Sequence, residues 1–186
     1  MNLALLAVLV LMVVFVAVTY NGLAQLRLLA DNAWADIDVQ LKRRHDLIPG
    51  LVGAVKGHAG YERGTLEAVV EARNKAASAS GPAAAAAAEL ALAGNVRQII
   101  ALAEAYPDLK AATSFLTLQN QLSEIEDQVQ NARRYYNAVV RDLNTRIAQF
   151  PSNLLAGTFG FRPREFFEIG DAGERAAPQI DLGKSS

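Results

Sequence analysis

The chain has 186 residues, a net charge of −1, 52% apolar and 20% charged residues, and no cysteine. That length fits one domain with a core of its own, and the near-neutral charge excludes a strong field for nucleic acid or other polyanions. The absence of cysteine excludes disulfides, thiolate metal sites, a cysteine nucleophile and an acylated cysteine anchor.

From Leu3 to Val18 every residue is apolar, and Thr19, Tyr20 and Gly22 extend the run without adding charge. A helix needs about 20 residues to cross the hydrocarbon of a bilayer, and about 17 make a short span. Residues 3–20, bounded by Leu3 and Tyr20, therefore predict an uncleaved transmembrane anchor, with Tyr20 at one interface and Asn2 at the other. A cleaved signal peptide needs a basic segment first; no Lys or Arg precedes the run, and Gly22-Leu23-Ala24 is a poor cleavage site. Arg27, Lys42, Arg43 and Arg44 all follow the span. The charge rule for membrane orientation thus places the large domain in the cytoplasm, although Asp31, Asp36 and Asp38 interrupt the basic residues.

Beyond the anchor the apolar period becomes helical. Trp34, Ile37, Leu41, Ile48, Val52, Val55, Ala59, Leu66 and Val69 fall on steps of three, four or seven, the stripe of a bundle helix. The stripe keeps its phase across Pro49. A proline inside a helix loses one backbone hydrogen bond and crowds the carbonyl four residues back, here that of His45. The expectation is either a kinked long helix or two helices meeting near His45 and Pro49, and the preserved phase favours the kink. Gly50, Gly53, Gly57, Gly60 and Gly64 lower helix propensity further.

The segment Lys42-Arg43-Arg44-His45-Asp46 carries the densest chemistry. One reading is structural: Lys42 pairs with Asp46 one turn on, Arg43 and Arg44 form a solvated flank, and His45 is half-buried. The other is functional: Arg43, Arg44, His45 and Asp46 form a polar patch at a proline kink that docks a partner. His58 and Glu62 lie one turn apart, a spacing that metal sites use, but the sequence offers no third ligand, and no cofactor is implied.

Ser, Gly and Pro cluster between Asn74 and Pro82 and predict a turn. The alanine run from Ala83 to Ala88 then favours a helix whose start frays, with Leu92, Val96, Ile99 and Ala103 as its stripe. Pro107 restarts a helix near its first position. Phe115, Leu118, Leu122, Ile125, Val129, Ala132, Tyr136, Val139, Leu143, Ile147 and Phe150 give a long seam with a period near that of coiled or antiparallel packing. Tyr136 lies on that seam and its hydroxyl needs one partner; Asn137 is expected to bond across to the first arm. Pro151 ends the helix. The apolar, glycine-broken residues from Asn153 to Phe161, with Phe166 and Phe167, are expected to fold back over one end of the bundle. An exposed aromatic patch there would instead meet membrane or a partner. From Gly170 onward the composition predicts a disordered tail. The expected organisation is an anchor over residues 1–24, a helical domain over 25–169 and a tail over 170–186.

The sixteen-residue string Trp34-Ala-Asp-Ile-Asp-Val-Gln-Leu-Lys-Arg-Arg-His-Asp-Leu-Ile-Pro49, with Tyr20-Asn21, Tyr106-Pro-Asp-Leu-Lys110, Tyr136-Asn137, Phe150-Pro151 and Phe166-Phe-Glu168, resembles the LemA family. The resemblance runs from the anchor to about Ile169. Gly50 stands where the family usually has Asn, and Leu143-Asn144 where it often has a second Tyr-Asn, which weakens any role for those positions. The resemblance implies a single-pass protein of the bacterial inner membrane, an all-α fold with an antiparallel up-and-down bundle of about four helices, and no established enzymatic activity. Some relatives are linked to magnetosome membranes.

Three functions follow as expectations. The favoured one is a non-enzymatic, membrane-anchored scaffold or adaptor in envelope or membrane organisation, working through an unidentified membrane or envelope partner and compatible with a homo-oligomer. The second is a lipid-binding or membrane-shape factor using the anchor and the aromatic segment from Phe159 to Phe167. The third is a metal-assisted hydrolase built on His45, Asp46, His58 and Glu62.

Overall fold

A computed structural model of the chain describes residues 2–57 and 63–168. His58, Glu62 and the segment expected to be a disordered tail lie outside those residues. Among the described residues the chain is all-α. Four long helices, α1 (Asn2–Lys56), α2 (Arg63–Ser78), α3 (Pro82–Glu104) and α5 (Thr113–Ala148), are accompanied by two short ones, α4 (Pro107–Lys110) between α3 and α5 and α6 (Ser152–Thr158) after α5.

The first helix sets the architecture. It holds 55 residues without a break, which makes it about 80 Å long at 1.5 Å per residue. Its first part, through Val18, has exposed apolar side chains all round, so no protein surface covers the stretch that is long and apolar enough to cross a bilayer. α3 is also long and apolar enough by composition. Its stripe of Ala85, Ala86, Leu92, Val96, Ile99 and Ala103 is packed in the core, however, which makes it a bundle helix.

From Leu23 onward α1 is paired with α5. Gly22 faces Arg146, Trp34 stacks on Tyr136, and Gly50 faces Leu118. The first member of each pair climbs as the second falls, so the two helices are antiparallel and in steady register. Among the described residues both predicted seams are buried or half-buried, save that Phe150 lies past the end of α5 and is 80% exposed, and Ala59 lies outside the described residues.

The core has two parts. Nearest the apolar end, Leu23, Ala30, Ile37, Val129, Tyr136 and Leu143 pack with Ala85, Ala86, Ala156 and Phe167. Farther out, Ile48, Leu51, Val55, Val69, Leu92, Ile99, Leu109 and Phe115 form a second cluster. The alanine run does not fray: Ala85 and Ala86 are buried in the cluster that α1 and α5 line, while the closest long neighbour of α3 is α2.

As the preserved phase favours, α1 runs unbroken through Pro49 to Lys56. Other boundaries differ from expectation. The turn before α3 narrows to the residues around Gly81, whose φ of 86 and ψ of 162 only glycine adopts without strain. Pro107 opens a single turn rather than the long helix. Leu109 is drawn into the outer core, and the backbone at Ala112 is extended before α5 begins.

Candidate functional site

The basic segment of α1 does not form a solvated flank. Arg44 is 6% exposed and His45 7% exposed, and both face Glu89 of α3, which is 1% exposed. His45 Nε2 lies 2.5 Å from Glu89 Oε1, and Arg44 Nη1 lies 3.3 Å from Glu89 Oε2. Arg44 Nη1 is also 3.2 Å from Glu126 Oε2 of α5. From α2, Arg73 Nε donates to the His45 carbonyl at 3.2 Å. That carbonyl is the acceptor freed by Pro49 four residues on, so a guanidinium replaces the missing backbone N–H and the helix continues. Each of the four long helices thus contributes a charged side chain to one layer, set between the two halves of the core.

The rest of the segment points outward. Lys42, Arg43 and Asp46 are exposed. Asp46 lies 3.9 Å from the Arg73 guanidinium of α2 rather than pairing along its own helix with Lys42. Of the four candidate docking residues, then, Arg43 and Asp46 are accessible, while Arg44 and His45 are committed inside. Below the layer, the buried Gln40 Oε1 has no hydrogen-bond partner among the described residues.

What this layer does chemically follows from its closure. Isolated ions in a protein interior cost several kcal/mol each, offset only when partners and geometry are good. Here the Glu89 carboxylate meets two donors, and Arg44 reaches two carboxylates. Such a layer fixes helix register, and its buried carboxylate, imidazole and guanidinium are paired with one another. Among the described residues, no three His, Asp or Glu side chains come close enough together to hold a metal ion.

A second constellation ties down the chain after α6. At the end of that helix Gly160 takes a φ of 72, and the Phe161 N–H bonds back to the Ala156 carbonyl at 2.9 Å. This is a glycine-ended helix cap, and it turns the chain into an extended strap over residues 161–168. The strap has no strand beside it, so side chains of α5 supply its hydrogen bonds. Asn144 takes the Arg164 N–H at 2.8 Å and donates to the Arg164 carbonyl at 2.9 Å. Asn137 does the same for Phe167, at 2.9 and 3.0 Å. The Tyr136 hydroxyl donates to the Glu165 carbonyl, and Phe167 is buried against Trp34. Asn137 therefore bonds the strap and not the first arm, and Asn144 has the same role as Asn137. Burial of the Tyr136 phenol raises its pKa above the ordinary value, with Arg164 opposing the shift.

At the apolar end, Tyr20 packs edge-on against Phe159 and Phe161, with ring centres 5.0 and 5.7 Å away. Leu3 marks the far end of the same exposed apolar run. The aromatic segment thus folds over the end of the bundle from which the span emerges.

Three of these residues carry a signal in the sequence. Glu89 falls on the stripe of α3, one turn before Leu92, and a lone carboxylate on an apolar stripe implies a buried partner. Asn137 and Asn144 are two turns apart on one face of α5, a spacing suited to gripping an extended chain.

Comparisons with known proteins agree with this picture. The family model described as "LemA family" matches residues 33–182. The chain is 25% identical over 166 residues to "Magnetosome protein MamQ 2" of Paramagnetospirillum magneticum, covering 75% of this chain and 61% of that protein. It is 24% identical over 189 residues to "Magnetosome protein MamQ" of Magnetospirillum gryphiswaldense, covering 87% and 70%. It is 25% identical over 126 residues to "Protein LemA" of Metamycoplasma hominis, covering 67% and 58%. The chain thus spans about 61% of the length of the first of these relatives.

Proposed function

We propose that this chain, which belongs to the LemA family, is a non-enzymatic, single-pass membrane protein whose bundle presents a docking surface to another membrane or envelope protein. The observation that carries this reading is the continuity of α1, which joins an uncovered apolar stretch to the core of the bundle without a joint. Residues 1–24 act as the anchor and residues 25–169 as the presented domain. The names of two relatives place them with magnetosomes, which supports work at a membrane. The non-enzymatic reading rests on the closed layer, where the groups of the basic segment best suited to catalysis already satisfy one another.

Within that layer the roles divide. Arg44 and His45, held by Glu89, fix the position of α1 against α3. Arg43 and Asp46 then stand outward at a defined place, one residue to either side, and make the contact. Basic residues that follow the span favour a cytoplasmic bundle in an inner membrane. The test places a photo-crosslinking residue at position 39, which is exposed one turn before Arg43 on α1, in the full chain in native membranes. One discrete adduct, lost when Arg43 and Lys42 are changed to Glu, is the expected result. No adduct, or the same adducts from a probe at the exposed position 70 of α2, would remove the docking role. A self-adduct would identify the partner as a second copy.

A further inference from the structure

The end of the bundle that faces the span carries apolar side chains that the fold leaves uncovered. Phe150 is 80% exposed, Leu154 63% and Phe159 48%. They sit around α6, while the opposite side of that short helix is held by buried Ser152 and Ala156. The register that places Arg146 beside Gly22 brings the end of α5 to the level of Tyr20. Between the span and this segment runs an open groove of about 490 Å³ lined by Met12, Val13, Val16, Ala17, Tyr20 and Phe159. Most of that lining belongs to the span itself.

Just beyond Tyr20 the surface changes sign. Arg27, Arg162 and Arg164 line one recess of about 300 Å³, and Arg146 stands beside Gly22. Arg164 is paired with Asp31. Arg27, Arg146 and Arg162 make no hydrogen bond or ion pair through their side chains among the described residues. From Tyr20 to Arg27 the helix rises about 10 Å, the depth of a headgroup layer rather than of the hydrocarbon. Apolar side chains at one level and unpaired guanidiniums a few ångströms above them match the profile of a lipid leaflet that contains anionic headgroups.

We propose that residues 150–162 form a collar set into the bilayer surface around the span, where the groove beside Phe159 takes a lipid acyl chain and Arg27, Arg146 and Arg162 take the phosphate of an anionic phospholipid. A lipid fits better than a protein here because the groove is continuous with the span, and its apolar walls meet the arginines at headgroup depth. The proposal rests on the span being in the membrane, and its test separates the two.

The chain has no cysteine, so single nitroxides can be placed at will in the full chain. Val10→Cys reports the span, Leu154→Cys the collar and Val70→Cys the far bundle. In vesicles of phosphatidylcholine and phosphatidylglycerol, accessibility to oxygen against a water-soluble nickel chelate reads the depth of each. The expected order is position 10 deep, position 154 at or just below the phosphates, and position 70 in water. Position 154 in water with position 10 deep overturns the collar and leaves the anchor; both in water overturns both. Position 154 shielded from oxygen and chelate alike means a protein covers the groove, which overturns the lipid assignment. In a second arm, spin-labelled phosphatidylglycerol should associate with the full chain more strongly than spin-labelled phosphatidylcholine. Arg27→Gln, Arg146→Gln and Arg162→Gln together should cut that preference by roughly threefold or more at low salt. An absent preference, or one the substitutions leave unchanged, overturns the headgroup assignment.

Discussion

Replacing Glu89 with Ala would leave Arg44 and His45 in a buried site without the carboxylate that joins them. Removing one partner of a buried ion pair costs about 3–5 kcal/mol, because the remaining charge stays desolvated. Denaturation of the full chain in detergent should show a loss of that size, and a loss within experimental error would mean the layer is not formed. Replacing Arg44, His45 and Glu89 together with apolar residues of similar volume should restore most of the stability, since the one carboxylate left without Arg44, that of Glu126, is solvated. Tyr136 gives a pH dependence. Its folded pKa is raised by burial above the ordinary value of 10.0, so its contribution is complete below about pH 10. As pH rises further the unfolded chain ionises first, and stability falls until the folded phenol ionises too. Tyr136→Phe should flatten the decline of stability above that pH; an unchanged slope would assign the decline to other groups. At this scale the sequence was partly legible. The burial of Tyr136 follows from the seam, whereas the burial of Arg44 depends on a carboxylate 45 residues away, which no local period reveals.

The strap shows how an element without secondary structure of its own can be as defined as a helix. Asn137 and Asn144 each exchange two hydrogen bonds with its backbone, the pattern one strand offers another. Asn144→Ala removes one such pair and leaves the Arg164 N–H and carbonyl without these partners, at a cost of about 1–3 kcal/mol. Hydrogen exchange should quicken at Arg164 while the amides of mid-α5 keep their protection. Uniform loss of protection would show that the strap and the bundle unfold as one unit. The helices themselves were legible because a buried face repeats every three or four residues, and the seams of α1, α3 and α5 carry that repeat for many turns. The short α6 and the strap were not, because seven residues are too few to display a period and an extended chain gripped by side chains displays none. The continuity of α1 through Pro49 was legible in the unbroken phase of the stripe, but the donor to the freed His45 carbonyl, Arg73, lies on another element and was not.

In the whole molecule, the span and the bundle share one rod. With the apolar run set in a bilayer as proposed, the rod from Tyr20 to Lys56 would extend about 54 Å beyond it. Transmembrane helices tilt by about 20° on average, and by more when the hydrocarbon is thin for their length. With no joint between Tyr20 and the core, such a tilt would carry the outer end of the bundle sideways by about 18 Å. In oriented bilayers of graded acyl length, infrared dichroism of the bundle helices should therefore change in step with that of the span. A flexible glycine-serine insertion after Asn21 should abolish the correlation, and a bundle whose orientation ignores acyl length without the insertion would show that the rod is not stiff. A stiff rod makes the outer face a pointer whose lateral position reads membrane thickness, so a binding partner held at a fixed radius would be met in one membrane and missed in a thinner one.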